Sequence, residues 1–201
     1  ATALAALSVQ FPADHPVRFA VLDGSPSDLP TADSWQKLAD VLPHPVELIG
    51  PRKVAGLLAE IAEEVARRDR EDDETAPPIY LVLFNLGRFR DLRRDDDDYG
   101  FGADKPASPG QSLAGIIRDG PALGVHLLCW CDTYNNVVRA FSNSMLRDIE
   151  LRVAFQMNGS DSSNLVDSPA ASQLGIHRGL LFLAEHGSLE KFRPYGPPTD
   201  E

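Results

Sequence analysis

Three almost uninterrupted apolar runs limit the folds open to this chain more than any other feature of its sequence. They are VRFAVL at Val17–Leu22, IYLVLF at Ile79–Phe84 and VHLLCWC at Val125–Cys131. A strand that is apolar on both faces is buried on both faces, as in a parallel sheet covered by helices. Between two of these runs, Lys53–Arg70 carries apolar residues at helical spacing. The sequence therefore predicts an α/β fold with a mostly parallel sheet and helices on both faces.

The remaining pattern predicts a single domain over residues 1–201. Leu151–Met157 is predicted as a fourth strand, parallel to the other three in one sheet, because buried runs joined by helical crossovers pair in this way. Leu180–Ala184 is predicted as the last strand. Thr2–Val9 has helical composition but no N-cap residue before it, which predicts a helix cut at its start. Residues 93–110 are rich in Asp, Gly and Pro and are predicted to form a mobile loop.

Charge narrows the classes of partner. The chain has a formal net charge of −11, whereas surfaces that bind duplex DNA are built from clustered lysine and arginine. The acidic run Asp95–Asp98 is interpreted as a solvated loop and not as a metal site, because nothing spaces its carboxylates around one ion. DNA binding by this chain alone is therefore disfavoured, although arginines cluster just before the acidic run, at Arg88, Arg90, Arg93 and Arg94.

The distribution of apolar residues bears on where the protein works. No apolar run approaches the ~20 residues of a membrane helix, and no secretory signal pattern is visible, so we expect a cytoplasmic protein without direct membrane contact. Cys129 and Cys131 are interpreted as buried, reduced thiols in such a protein. No metal site is predicted.

Polar residues follow the predicted strands at their carboxyl ends, where ligands of parallel α/β sheets bind. Asp23 either contacts a ligand there or caps a turn through its side chain, and Asp132–Asn136 is either a functional loop or an ordinary turn. The amide of Asn85 is a weaker magnesium ligand than a carboxylate would be, and Leu86 can neither accept a proton nor polarise water. Arg152 either faces a phosphate or a neighbouring subunit, or pairs with a nearby carboxylate.

Longer segments resemble a known family. GVHLLCWCDTYNNVV at Gly124–Val138 resembles the "GIHL…ATQRP" strand and loop of the FtsK/SpoIIIE branch of the FtsK–HerA ATPases, and VRFAVLD at Val17–Asp23 resembles the strand that follows the family's phosphate-loop helix. The segment from Leu146 onward resembles the family's next stretch. Its matches are Arg152–Phe155 to RIAF, Asp161 and Ser162 to the start of DSR, Leu165–Asp167 to ILD, and Gly175 with Gly179 to two spaced glycines. Ordered matches over nearly the whole chain are more specific than one short motif.

The resemblance implies a RecA-like P-loop NTPase-type domain that lacks its phosphate-binding loop, which should sit just before Ala1. Asn85 and Leu86 stand where the family has its magnesium-binding and water-orienting acids, and Asp132 replaces the glutamine that senses the γ-phosphate. The family uses ATP and Mg²⁺, but no cofactor is predicted for this chain. Asp23, Asp132 and Arg152 remain candidate nucleotide contacts, and three altered positions together favour loss of hydrolysis.

Within that family, the resemblance implies an interaction or regulatory module. It would dock on neighbouring ATPase domains or subunits, as degenerate modules do in the type VII secretion ATPases of the EssC/EccC kind, and a homo-oligomer is left open. The expected docking surface is the sheet edge at Asp23, Asn85 and Asp132, with Arg139 and Arg147 nearby as well as Arg152. The alternative is a fragment of an ATP-driven DNA translocase, acting in DNA segregation or cell division, whose P-loop lies outside this chain.

An unrelated enzyme class is also considered, because doubly wound sheets carry hydrolases and dinucleotide enzymes as well. The chain has no GxSxG elbow and no GxGxxG after its first strand. The sequence gives this alternative little support.

Overall fold

The computed structural model describes residues 2–26, 33–73, 75–94 and 107–194. Two compact units divide the chain: the first comprises residues 3–145, and the second begins at Leu146. The helices are α1 (Thr2–Ser8), α2 (Ser34–Val41), α3 (Val54–Glu71), α4 (Pro109–Asp119), α5 (Tyr134–Ala140), α6 (Asn143–Asp148) and α7 (Gly159–Val166). The strands are β1 (Arg18–Asp23), β2 (Val46–Ile49), β3 (Ile79–Phe84), β4 (Val125–Trp130), β5 (Leu151–Ala154), β6 (Gly179–Leu183) and β7 (Ser188–Phe192).

The first unit is built on a four-stranded parallel sheet in the order β2-β1-β3-β4. Its three longest strands are the three apolar runs, and they lie in exact step: Asp23 is opposite Phe84, which is opposite Trp130. The strands therefore all end at the same edge, which we call the carboxyl edge. The predicted parallel sheet and its α/β class are confirmed.

Helices cover both faces of this sheet. Phe19 and Val21 of β1 pack with Leu4 of α1 and Trp35 of α2 on one face. The alternate residues of β1 and β3 are fully buried on the other face, where α3 contacts α4 and α4 contacts β4. The amphipathic helix predicted at Lys53–Arg70 is observed as α3, and its buried residues are Val54, Leu57, Leu58, Ile61, Val65 and Arg68.

The second unit is a three-stranded antiparallel sheet, in the order β5-β6-β7, whose inner face packs on α7. The prediction that Leu151–Met157 joins the parallel sheet is therefore wrong. The strand has only four residues and is buried on one face alone: Ala154 is buried, whereas Leu151 is 58% exposed and Val153 is 43% exposed. Such a strand suits a sheet covered on one face, and a parallel strand covered on both does not have this pattern. The strand predicted at Leu180–Ala184 is confirmed as β6.

Three other expectations have different outcomes. The mobile loop predicted for residues 93–110 falls mainly on residues 95–106, which lie outside the described residues. The single domain stays a prediction. The prediction of two buried thiols is wrong, since Cys129 is exposed and Cys131 is half-buried. Their strand, β4, lies at the side of the sheet, and one of its edges is unpaired among the described strands. Among the described helices, none is both long and apolar enough to cross a membrane.

One buried charge ties the first unit together at the amino end of its sheet. Arg68, in the last turn of α3, is 2% exposed. Its Nη1 donates to the carbonyl of Leu123 at 2.9 Å, and its Nη2 donates to the carbonyl of Pro77 at 2.9 Å. Its Nε donates to Glu64 at 2.8 Å. The guanidiniums of Arg67 and Arg68 hold the pKa of the Glu64 carboxyl at about 2. These contacts join the end of α3 to the chain entering β3 and the chain entering β4.

We predict that Arg68→Leu lowers the free energy of unfolding by about 3 kcal/mol, because it leaves two part-buried carbonyls without their donors and removes one of the two arginines that bond to Glu64. Urea denaturation followed by circular dichroism measures the change. Arg70→Leu is the matched control, since Arg70 and its partner Glu63 are both largely exposed, and its effect should stay within about 0.5 kcal/mol. Equal losses in the two variants would contradict the structural role of Arg68.

Candidate functional site

The carboxyl edge of the parallel sheet is the candidate site, because β1, β3 and β4 all end there. Asp23 is the last residue of β1, Asn85 follows β3, and Asp132 follows β4 after one residue. The structure thus brings three of the predicted site residues to one edge. Arg152 belongs to the second unit.

The end of β1 and the end of β3 are closed against each other. The Gly24 N–H donates to the Phe84 carbonyl at 3.0 Å, and Asn85 Nδ2 donates to the Gly24 carbonyl at 3.1 Å. A Cβ on Gly24 would lie 2.6 Å from the Phe84 carbonyl oxygen, so this approach requires glycine. Asn85 has φ 64°, a left-handed conformation that Asn tolerates better than most residues. The Asn85 side chain is therefore directed into a backbone contact.

Leu86 begins a 3-10 turn at Leu86–Arg88 and is 1% exposed. A buried leucine adds apolar packing at this position. Together with the inward-facing amide of Asn85, it leaves the position after β3 without a group that fits Mg²⁺ or an attacking water. Within the described residues, no group of three or more His, Cys, Asp or Glu side chains could hold a metal ion.

Asp23 and Asp132 both make local hydrogen bonds. Asp23 Oδ1 accepts from the Ser25 N–H at 2.8 Å, which is the side-chain turn considered from the sequence. Asp132 Oδ1 accepts from Asn136 Nδ2 at 2.8 Å, and this bond holds the pKa of the Asp132 carboxyl below its ordinary value. Both residues therefore stabilise turns at the edge.

Asn136 also joins the two loops at this edge. A Cβ on Gly87 would lie 2.6 Å from Asn136 Nδ2, so the turn after β3 approaches α5 as closely as glycine allows. The sequence showed Asn136 as a turn former and gave no sign of its contact with Gly87. Gly24 and Gly87 are the structurally critical residues that sequence reasoning missed, and the only signal for them is a glycine directly after, or three residues after, a buried strand.

Arg152 has a structural position in the second unit. Its Nε donates to the Ile149 carbonyl at 3.0 Å and its Nη1 to the Leu165 carbonyl at 3.1 Å. Its guanidinium also lies over the Phe182 ring, 5.3 Å from the centroid. The carboxylate partner considered from the sequence is replaced by two backbone carbonyls.

Comparison with known proteins supports the fold alone. No family model matches the chain, and no curated protein matches it. Two solved structures of the genome-packaging NTPase B204 from Sulfolobus turreted icosahedral virus 2 are similar, each covering 89% of this chain and 83% of that chain. The complex with ATP-gammaS has a TM-score of 0.54 at 9% identity, and the complex with AMPPCP has 0.53 at 11%.

A third similar structure is B204, the DNA-packaging ATPase from Sulfolobus Turreted Icosahedral Virus, with a TM-score of 0.54 at 9% identity over 90% of this chain and 84% of that chain. At identities this low, the structural similarity establishes the fold and leaves the function open. The chain therefore has an α/β fold of the P-loop NTPase type.

We predict that Asn136→Ala raises the pKa of Asp132 towards its ordinary value, because the donor that favours the charged carboxylate is removed. The folded-state pKa of Asp132 lies below its unfolded value, so the contribution of this pair to stability is present above the ordinary aspartate pKa and is lost as pH falls through the folded pKa. The variant should show less of this acid-side loss. NMR titration of the Asp132 carboxyl carbon measures the shift, with Asn135→Ala as the control that leaves it unchanged.

Proposed function

We propose that this chain is an interaction or regulatory module with a P-loop NTPase-type fold that does not hydrolyse ATP. The observation that carries the proposal is the state of the two positions after β3. Leu86 is 1% exposed, and the Asn85 amide donates to a backbone carbonyl. Neither position supplies the carboxylate with which related enzymes hold Mg²⁺ or orient water.

We further propose that the module belongs to the FtsK/SpoIIIE group and works beside active ATPase modules, in a protein-secretion machine of the EssC/EccC kind. The ordered sequence matches support this placement, and the fold supports its coarser part, a P-loop NTPase-type domain. Its partners would be neighbouring ATPase domains or subunits, without a bound cofactor of its own. Its working compartment would be the cytoplasm, in a parent protein that is soluble or membrane-anchored.

The proposed docking surface is the carboxyl edge with Asp23, Asn85 and Asp132. Their side chains make local hydrogen bonds, so the edge keeps one defined shape before a partner arrives, and a preorganised surface loses less entropy on binding. Arg139 is exposed on α5 beside this edge and supplies positive charge to it.

A second candidate function is a fragment of an ATP-driven DNA translocase whose P-loop lies outside this chain. The similar fold of B204, a DNA-packaging ATPase, supports it. In such a fragment, another part of the parent protein would cover the side of β4 that is unpaired among the described strands. β2, at the opposite side of the sheet, is short and carries Glu47, which pairs with Arg18 at 2.9 Å. By contrast, β4 has six residues, with half-buried Leu127 and Leu128 and a Trp130 that is 44% exposed. Long apolar edges are normally covered by another strand or element.

We predict that the purified chain shows no ATP turnover above background and that Asn85→Asp with Leu86→Glu does not create any, since a phosphate loop is also needed. Phosphate release measured with and without Mg²⁺ tests this, and circular dichroism checks that the buried Leu86→Glu substitution leaves the chain folded. Turnover that disappears in the Asp132→Ala variant would overturn the proposal.

Titration with labelled duplex DNA separates the two candidates. We predict little affinity at low or moderate salt, because a chain of net charge −11 repels a polyanion. A translocase fragment would instead bind tightly, with an affinity that falls steeply as salt rises. That result would favour the translocase fragment over the docking module.

A further inference from the structure

Five exposed arginines lie together in the first unit, beyond the residues that close the carboxyl edge. We call this set the arginine corner. Four of them follow β3: one in the 3-10 turn Leu86–Arg88, one in the 3-10 turn Arg90–Leu92 and two directly after it. The fifth lies in the last turn of α5. The members are Arg88, Arg90, Arg93, Arg94 and Arg139.

The backbone beneath the arginine corner is fixed. Phe89 is 2% exposed and Leu92 is 1% exposed, so the segment is anchored in the core at two points between its arginines. The Arg94 N–H donates to the Arg139 carbonyl at 2.8 Å, which joins the segment to α5. Arginines on an anchored backbone lose less entropy on binding than arginines on a free loop.

In their partners, these arginines differ from five of the six other described arginines of the same unit, Arg52 being the exception. Arg18, Arg67, Arg68, Arg70 and Arg118 each pair with a carboxylate within 3.1 Å. Over the residues that the structure describes, no member of the arginine corner has a carboxylate within 4.0 Å, and Arg93 donates only to the Gly87 carbonyl at 3.5 Å. Among the described residues, the positive charge of the arginine corner is therefore not neutralised by an ion pair.

A cleft of about 450 Å³ opens beside the arginine corner. Arg93 and Arg94 line one wall, together with Asp91. Much of the rest is apolar, from Leu92, Pro109, Ala114, Ala140 and Met145. A cationic rim around an apolar floor suits a ligand that carries negative charges on both sides of an apolar group.

We propose that the arginine corner and its cleft bind an acidic linear segment of a partner protein, with one apolar side chain of that segment in the cleft. Planar guanidiniums bind carboxylates through two parallel hydrogen bonds, which favours arginine for this task. A nucleic-acid backbone offers phosphates but no protruding apolar group for the cleft, and its charge is repelled by the rest of the chain. The proposal rests on the docking function and names the chemistry of one partner.

Fluorescence anisotropy with synthetic peptides tests it. The probe is a labelled peptide of Asp and Glu residues around one central leucine, and the reference peptide has Asn and Gln in place of the acids. Arg93→Glu with Arg94→Glu should weaken probe binding at least about tenfold. Arg52→Glu with Lys53→Glu makes the same change in net charge at exposed residues before α3 and should leave affinity within about twofold.

A third variant isolates the cleft. Ala114→Leu fills its apolar floor without changing charge, so it should weaken the leucine probe and leave a glycine-centred version unaffected. Thermal unfolding by circular dichroism confirms that each variant is folded. Equal weakening by the control pair, or equal affinity for probe and reference peptides, would overturn the proposal. So would duplex DNA that binds as tightly as the probe and is lost in Arg93→Glu with Arg94→Glu.

The result is separable from the proposed function. Peptide binding does not depend on whether the chain hydrolyses ATP. If the chain shows neither ATP turnover nor peptide binding, the arginine corner is not the docking surface, and docking through the rest of the carboxyl edge stays the proposal. If the chain shows both ATP turnover and peptide binding, the proposal of a non-hydrolysing module is wrong, and the proposed binding surface stands.

Discussion

One buried guanidinium joins the helix α3 to the chain segments that enter two strands of the parallel sheet. Arg68 is buried at the end of α3, and its guanidinium donates hydrogen bonds to Glu64 and to the carbonyls of Pro77 and Leu123. A buried charge without such partners would cost several kcal/mol. Those two carbonyls stand at the entrances to β3 and β4, so the same contact sets where two adjacent strands begin. Because parallel strands that begin together also end together, the amino end of the sheet fixes the geometry of its carboxyl edge.

At that edge, the polar groups bond to one another within the chain. Asp23 bonds to Ser25, Asn85 to Gly24 and Asp132 to Asn136. Each bond fixes a turn, and the glycines at 24 and 87 let the turns pack at distances that a Cβ would prevent. A P-loop enzyme keeps groups at this edge free for phosphate, metal and water. Here the corresponding groups at 23, 85 and 132 bond within the chain, and the proposed docking function rests on this difference.

The sequence was most informative where one physical effect dominated. The apolar runs predicted β1, β3 and β4 and their parallel pairing, and the spacing in α3 predicted its buried face, because burial on both faces or on one stripe leaves a direct trace in the residues. It failed at β5, where the run at 151–157 has the polar Arg152 inside it and belongs to a one-sided antiparallel sheet. The contact of Gly87 with Asn136 joins residues far apart in the chain, and no local pattern encodes it. Leu86 could be read as non-catalytic from its chemistry, but its burial needed the fold.

Arginines differ in their partners at the two ends of the sheet, and the proposed binding of an acidic segment rests on this difference. At the amino end, Arg18 forms ion pairs with Glu47 and Glu60, and Arg68 forms one with Glu64, so the opposite charges largely cancel. Beyond the carboxyl edge, the arginine corner has no such partners among the described residues. Screening limits charge interactions to about 8 Å at physiological salt. A short acidic segment seated on the corner therefore responds mainly to the local positive charge, whereas a long polyanion lies across enough of the acidic surface to be repelled.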